Sequence, residues 1–454
     1  MYTQFVQTNM VFPVYMDTHK CEFKLPNEVI ELSRLRLFNI GATVNVGNAS
    51  YTTGGALNLI RNIQLYNDSQ LISQVRYSDI WNYIQNLKNR NTTNISRNQL
   101  LYGDNMGWIY NQWPTEVNVF ANIVAQHQNR LSPWGANAHQ LTTDPKTTSL
   151  ANVFLSHYFD FLNQAGTLDC TKLNLRLVIE WTTQPFAELL FNPAGGPASF
   201  TIIKPYLLCE VLSDPKEVKP EDVPLLWKEI VCTVVNVPVY PGYNPGAGSP
   251  VANLVQAQQV SVMLDSFRNQ TIGKIYIVNT PSGTTVDGTP VANTLTGTNT
   301  CSYQMWGETL QLLVDGKKTF TGQNGLDLPA RKTATLTDVL GTCNVFYGGN
   351  LPLSAGTWVT GGNVIGALDA NAQNALYSGF AQNQTNYHSI GCFELNKFCE
   401  RLQLDVSRGI GVYETDGAVP PMVNAASSQL NPYSILLFAE VYKSCKILKS
   451  GVIV

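Results

Sequence analysis

The sequence predicts an all-β chain built as two tandem β-sandwiches. Three observations carry that expectation. Stretches of alternating apolar and polar residues recur along the chain, as at 173–181, where Leu173, Leu175, Leu177 and Ile179 share one face. Glycine (34) and proline (23) are spread throughout, which suits many short strands joined by long loops rather than helices. A series of landmarks in the first half returns in the same order in the second.

Residues 57–90 organise the first half. Ile63 and Leu65 alternate with Asn62 and Gln64, Asn67-Asp68-Ser69 signals a turn, and 71–75 returns as a second strand. Tyr77, Ile80, Trp81, Ile84 and Leu87 then recur at helical spacing. Upstream, Phe12-Pro13-Val14-Tyr15 reads as an edge strand and 21–25 and 35–40 as strands. Residues 91–145 form an elaborated loop region with Trp108, Trp113 and Trp134. A loop that long in a compact domain carries a role of its own. Residues 150–161 include a short helix, and 206–212 is a further strand.

The segment DPKEVKPEDVP at 214–224 is charged, holds three prolines and breaks both periodicities, so it reads as a linker. Beyond it, strands are expected at 231–240, 259–264, 275–279, 310–314, 402–406 and 435–441. Asp315-Gly316 makes a hairpin and 329–340 a helix. Residues 341–389 are a second long insertion, rich in Gly, Asn and Ala. The expected organisation is an N-terminal arm over 1–20, a first sandwich over 21–213, a linker over 214–230 and a second sandwich over 231–454. A length of 454 residues accommodates this at roughly 100–200 residues per domain.

The repeat is read from matched landmarks some 225 to 247 residues apart. Pro13-Val14-Tyr15 matches Pro238-Val239-Tyr240, and Leu35-Arg36-Leu37-Phe38-Asn39 matches Ile275-Tyr276-Ile277-Val278-Asn279. Ile63-Gln64-Leu65 with Asp68 matches Leu310-Gln311-Leu312 with Asp315. Cys170-Thr171-Lys172-Leu173 matches Cys399-Glu400-Arg401-Leu402, and Pro205-Tyr206 with Glu210 matches Pro432-Tyr433 with Glu440. A period this long exceeds those of solenoids and propellers and fits duplication of a whole sandwich of seven or eight strands.

Composition excludes several function classes. Net charge is -3, so no basic footprint for wrapping nucleic acid exists, and no sequence-specific nucleic-acid binding is expected. Only 13% of residues are charged while 10% are aromatic, which suits surfaces buried against partners. Residues 1–14 lack a basic region followed by an apolar core, and no apolar run of about 18 residues is present. The nine cysteines are scattered singly and read as reduced thiols made in a reducing compartment. The sequons at Asn48, Asn67 and Asn94 read as incidental.

Catalytic chemistry finds little support, and neither catalytic, metal nor cofactor residues are assigned. The five histidines, His19, His127, His139, His157 and His388, show no metal-ligand spacing, and His157 beside Tyr158 and Phe159 reads as packed among aromatics. No nucleophile elbow or phosphate-binding loop is present. Asp79, Glu180, Glu210 and Asp338 are carboxylates a glycosidase would need to pair, but nothing selects a pair. Asp79 and Asp338 are expected on solvated helix faces or bonded to neighbouring amides. The three loop tryptophans read either as a sugar-binding platform or, more simply, as packing for their own loop.

The run LNLIRNIQLYNDSQL…YSDIW at 57–81 resembles the first-barrel pattern of double jelly-roll major capsid proteins, and 310–340 resembles a second-barrel pattern. That lineage includes tectivirus-type phages, adenovirus hexons, virophages, polinton-like viruses and the large algal DNA viruses. The resemblance implies two tandem eight-stranded jelly rolls with short flanking helices and long loop insertions. It further implies a non-enzymatic major capsid protein of a DNA virus, made in the host cytoplasm and located in the virion. Its homotrimers would have a pseudo-hexagonal base and tile an icosahedral shell. Partners implied are neighbouring capsomers, minor capsid and penton proteins, and an internal membrane reached through the termini. Lys443, Lys446 and Lys449 form a small basic tail that faces anionic lipid or is an ordinary solvated strand end. The alternative is a carbohydrate-binding or carbohydrate-cleaving β-sandwich on a surface or adhesin protein.

Overall fold

The computed structural model describes residues 6–45, 49–51, 55–88, 140–141, 143–146, 148, 150–182, 190–191, 199–213, 224–237, 253–255, 258–281, 308–319, 359–360, 363–364, 391–408, 411–413 and 433–448. The expected helix at 329–340 and the loop tryptophans lie outside these residues.

The first half is built from strands β1 (Val6–Val11), β2 (Lys20–Lys24), β3 (Val29–Glu31), β4 (Arg36–Ile40), β5 (Ile60–Asn67), β6 (Gln70–Arg76), β7 (Ala151–Phe154), β8 (Thr167–Asp169), β9 (Leu175–Trp181) and β10 (Tyr206–Leu212). A 3-10 turn at Leu32–Arg34 divides β3 from β4, and β10 pairs with both, so they form one strand position. β8 pairs with β3 and β7 with β4, making a second divided position. The eight positions form two antiparallel sheets, β1-β10-β3/β4-β8/β7 and β2-β9-β5-β6.

The second half uses β11 (Pro224–Val237), β12 (Gln258–Met263), β13 (Gln270–Pro281), β14 (Glu308–Val314), β15 (Lys317–Lys318), β16 (Gly391–Cys399), β17 (Leu402–Arg408) and β18 (Tyr433–Lys446). Its sheets are β11-β18-β13-β16 and β12-β17-β14-β15. Counted by position, both halves show the orders 1-8-3-6 and 2-7-4-5. That is the jelly-roll order, in which first and last strands are neighbours and each crossover passes between sheets. The chain is therefore a double jelly roll. Ile63-Gln64-Leu65 and Leu310-Gln311-Leu312 occupy the same strand of their two rolls, facing Ile179-Val178-Leu177 and Val406-Asp405-Leu404 respectively.

Strand alternation explains the cores. In β5 and β9, Ile63, Leu65, Leu177 and Ile179 turn inward while Asn62, Gln64 and Glu180 turn out. In the second half, Ile275, Ile277, Leu310, Leu312, Leu404 and Leu437 fill a separate cluster. The β5–β6 and β14–β15 hairpins also match. Asp68 (φ 51°) donates its amide to Asn174 O at 3.0 Å, and Asp315 (φ 52°) donates its amide to Arg401 O at 2.9 Å. Asp315 Oδ1 accepts the Glu400 and Arg401 amides, tying the hairpin to the start of β17.

Several expectations shift. Val6–Val11, inside the expected arm, pairs with Leu207–Leu212 of β10 and supplies the edge of the first roll. The edge strand expected at 12–15 is instead two strands around Pro13, which has no amide to donate. Residues 224–230, within the expected linker, are strand: Leu225, Trp227 and Ile230 are buried, and cross-strand pairing to β18 overrides the nearby prolines and charges. The helix after β6, α1, spans Ser78–Lys88. The 150–161 region yields β7 and leads into a short helix, α2, at Asp160–Ala165.

Gly316 sits at φ 80°, and a Cβ added there would meet no atom within 4 Å. Gly316→Ala should therefore cost only the left-handed backbone penalty, roughly 1–2 kcal/mol. Urea denaturation of the variant measures it.

Candidate assembly surface

The rolls meet through one face of the second and one side of the first. In β13, Ile275 and Ile277 enter the second-roll core, while Tyr276 and Val278 point the other way and join the first-half cluster. Leu436 and Phe438 of β18 and Cys392 of β16 do the same. All five are buried although they lie on the outside of their own sheet. What covers them comes from the first half. Trp81 of α1 lies 5.9 Å from the Tyr276 ring and 5.7 Å from the Phe438 ring. Phe161 of α2 meets Trp227 of β11 edge-on at 5.4 Å.

The sequence places Trp81 here by fixing both the start and the flank of α1. Tyr77 takes a left-handed φ of 53°, its amide donates to Asn62 Oδ1, and its carbonyl accepts the Ile80 and Trp81 amides. Asp79 lies in the first turn, where carboxylates are favoured. It is buried and ion-paired with Arg61 at 2.9 Å, and the Arg61 guanidinium stands 4.1 Å over the Tyr77 ring. Burial pushes the Asp79 carboxyl up, and Arg61 pulls it back. Of the two positions expected for Asp79, the solvated one is corrected, since the polar side of α1's first turn faces Arg61 rather than water, while bonding to a neighbouring amide, that of Ile80, agrees. Ser78 Oγ donates to Ile60 O. Asn82 Nδ2 donates to Tyr158 OH and Leu57 O, and its Oδ1 accepts from His157 Nε2 at 2.8 Å.

Polar contacts cross the seam as well. Glu440 accepts from Tyr276 OH at 3.0 Å and Lys228 Nζ at 3.1 Å, and the Lys228 amide donates to Asp160 of α2. Burial, helped by Glu440, pushes the Tyr276 hydroxyl far up. A groove of about 520 Å³ opens between β6 and β11, with Gln74, Arg76, Glu229 and Lys443 among its walls. Burial raises Glu229 there, and Lys443 at 4.0 Å offsets part of that.

Other residues weighed in the sequence are dispersed. Glu180 accepts from Asn62, and Glu210, on the opposite sheet, pairs with Arg34 and Arg36. Asp338, Lys449 and the loop tryptophans lie outside the described residues. Among the described residues, no group of three or more His, Cys, Asp or Glu could hold a metal ion. No described helix is long and apolar enough to cross a membrane. Tyr276, Phe438 and Trp227 were not singled out by sequence reasoning. The signal available was the unbroken apolar run at 435–439, which marks a strand buried on both faces.

The first roll also carries an exposed aromatic row on the outside of β1-β10-β4-β7. The Phe154 ring lies under the Arg36 guanidinium at 5.4 Å, and Arg36 lies 5.9 Å from Phe38. Phe38 stacks on Tyr206 at 5.4 Å, and Tyr206 is 6.1 Å from Phe12.

No family model matches the chain, and no curated protein matches it. Solved structures do. The chain matches a chain of the Sputnik virophage seen by cryo-EM, with a TM-score of 0.57, 11% identity, and coverage of 100% of this chain and 89% of that one. It matches VP54 of PBCV-1 fitted into a Sputnik reconstruction, with a TM-score of 0.54 and 9% identity over 100% and 97% of the two chains. A chain of the PBCV-1 capsid gives 0.52 at 11% identity over 100% and 97%. At these identities the likeness is one of fold, and it spans the whole double jelly roll.

Two outcomes test the seam. Trp81→Ala should cost about 3–5 kcal/mol, read by chemical denaturation, because it empties a large buried site. Burial holds His157 down to about 4. An unfolded histidine takes its proton near 6.5, so stability present above that pH is lost as pH falls from about 6.5 to 4. The loss is at most about 3 kcal/mol, because the ring stays partly exposed. His157→Gln should flatten that limb of the stability–pH curve.

Proposed function

We propose that this chain is the structural subunit of an icosahedral virus shell, a major capsid protein working as a homotrimer. The observation that carries this reading is the doubling of one fold: among the described residues one chain holds two jelly rolls of identical strand order. Three such chains present six similar rolls, so a three-fold oligomer acquires a near-hexagonal outline that packs on a flat facet. Each contact between such oligomers is modest and repeats around every one of them. The fold shared with the Sputnik and PBCV-1 capsid chains supports the same role. So does the chemistry of the thiols. The seven described cysteines are free, and burial pushes Cys21, Cys170 and Cys209 up to about 12, which keeps them unreactive and suits synthesis in a reducing cytoplasm.

In this reading the long insertions at 91–145 and 341–389 decorate the shell, since loops carry variable function on a rigid scaffold. Neighbouring trimers, minor capsid proteins and vertex proteins are the partners.

Light scattering on the purified protein tests the reading. The expected mass is about 150 kDa, three chains of 50.1 kDa. A protein that stays at 50.1 kDa at micromolar concentration and binds glycans would overturn it in favour of a carbohydrate-binding surface protein.

A further inference from the structure

The rolls are packed tightly at Trp81, but beside that contact they part. The groove of about 520 Å³ between β6 and β11 lies there, and the end of β18 completes its wall. β6 is the last strand of the first roll's 2-7-4-5 sheet. It pairs with β5 along one edge, and among the described residues no strand pairs with the other. An open edge presents main-chain amides and carbonyls that proteins normally cover or protect. The groove follows this one from Gln70 to Arg76, seven residues or roughly 20 Å.

The chain itself shows what the edge accepts. The Gln74 amide donates to the Glu229 carboxylate, which reaches across from β11. Lys443 stands 4.0 Å from the same carboxylate. Main-chain groups two residues apart on an antiparallel strand point to the same side, so the Arg76 amide faces the groove as the Gln74 amide does. With it comes the Arg76 guanidinium, which is exposed and makes no ion pair among the described residues. A second place for a carboxylate therefore lies next to the first, and among the described residues none of the chain's own acids reaches it.

The rest of the groove points the same way. Arg76 and Lys443 stand against Glu229 alone, and burial pushes the Glu229 carboxyl up, toward its neutral form. Apolar side chains flank the charges: Leu71 is 39% exposed, and Ile72, Ile230 and Val231 line the same groove. A free anion such as phosphate would meet the cations and leave this length of strand edge and apolar wall uncovered.

We propose that the groove binds an extended, acidic peptide segment of a partner protein. A carboxylate of the segment pairs with the Arg76 guanidinium and the main-chain amide beside it, as Glu229 does with Gln74 and Lys443. Its backbone runs along the edge of β6, and its apolar residues cover Leu71 and Ile230. Both walls belong to one chain, so the site exists whatever the oligomer.

Fluorescence anisotropy tests this with two labelled, capped peptides at one ionic strength, one of alternating valine and glutamate and one of alternating valine and lysine. Saturable binding of the glutamate peptide and none of the lysine peptide are expected. Arg76→Glu, a change at an exposed position that should keep a native circular dichroism spectrum, is expected to bind the glutamate peptide about tenfold more weakly. A glutamate peptide that does not bind at about 1 mM, binds no better than the lysine peptide, or binds the variant as tightly as the wild type overturns the inference. Each of those results leaves the capsid reading standing, since the oligomer's mass tests that separately. Should the variant misfold, hydrogen exchange of the wild type decides. Exchange over 70–76 slowed by the glutamate peptide supports the site, and exchange unchanged there overturns it.

Discussion

The architecture depends on the seam in which Trp81 sits between Tyr276 and Phe438. Each roll has its own pair of sheets, and among the described residues this contact, with Phe161 on Trp227 and Lys228 on Asp160, holds one against the other. It is apolar and buried at its centre, so it resists sliding in the way a packed core does. Polar groups around it are paired: Arg61 with Asp79, Lys228 and Tyr276 both with Glu440, and His157 with Asn82. An unpaired member of any of these would carry a desolvation cost, which is why the helix bearing Trp81 has so little freedom of position.

The two rolls share one strand order, yet the seam between them is asymmetric. Glu210 and Glu440 keep the same place and the same bond to the neighbouring strand, while the residue they hold is arginine in the first roll and tyrosine in the second. Tyrosine can be buried with its hydroxyl satisfied. Arginine keeps a charge that Glu210 only partly encloses, and it stacks between Phe38 and Phe154 at an exposed face. The second-roll copy lies in the core of the chain, and the first-roll copy lies at an exposed face.

Much of the fold was legible in the sequence because strand alternation is a local signal. The run at 173–181 and the Asp315-Gly316 turn needed no long-range information, and the repeat of Ile63-Gln64-Leu65 in Leu310-Gln311-Leu312 located equivalent strands correctly. The edge strand Val6–Val11 was hidden because an edge exposes most of its side chains and loses the alternation that marks a strand. The start of β11 was hidden because its pairing with β18 bridges more than 200 residues, which local composition does not report. Asp79 looked like an ordinary surface carboxylate, and its burial depends on where Arg61 lands after folding. The seam was the least legible part. Tyr276 and Phe438 read as members of strands, and which side of a strand meets another roll is a property of tertiary assembly.

Imaging the purified oligomer at a resolution that separates individual jelly rolls tests the central claim most directly. Six rolls in a ring, with the Trp81 seam joining the two rolls of each chain, is the predicted result. Rolls joined face to face about a two-fold axis, or two rolls of one chain that do not meet at Trp81, would contradict it.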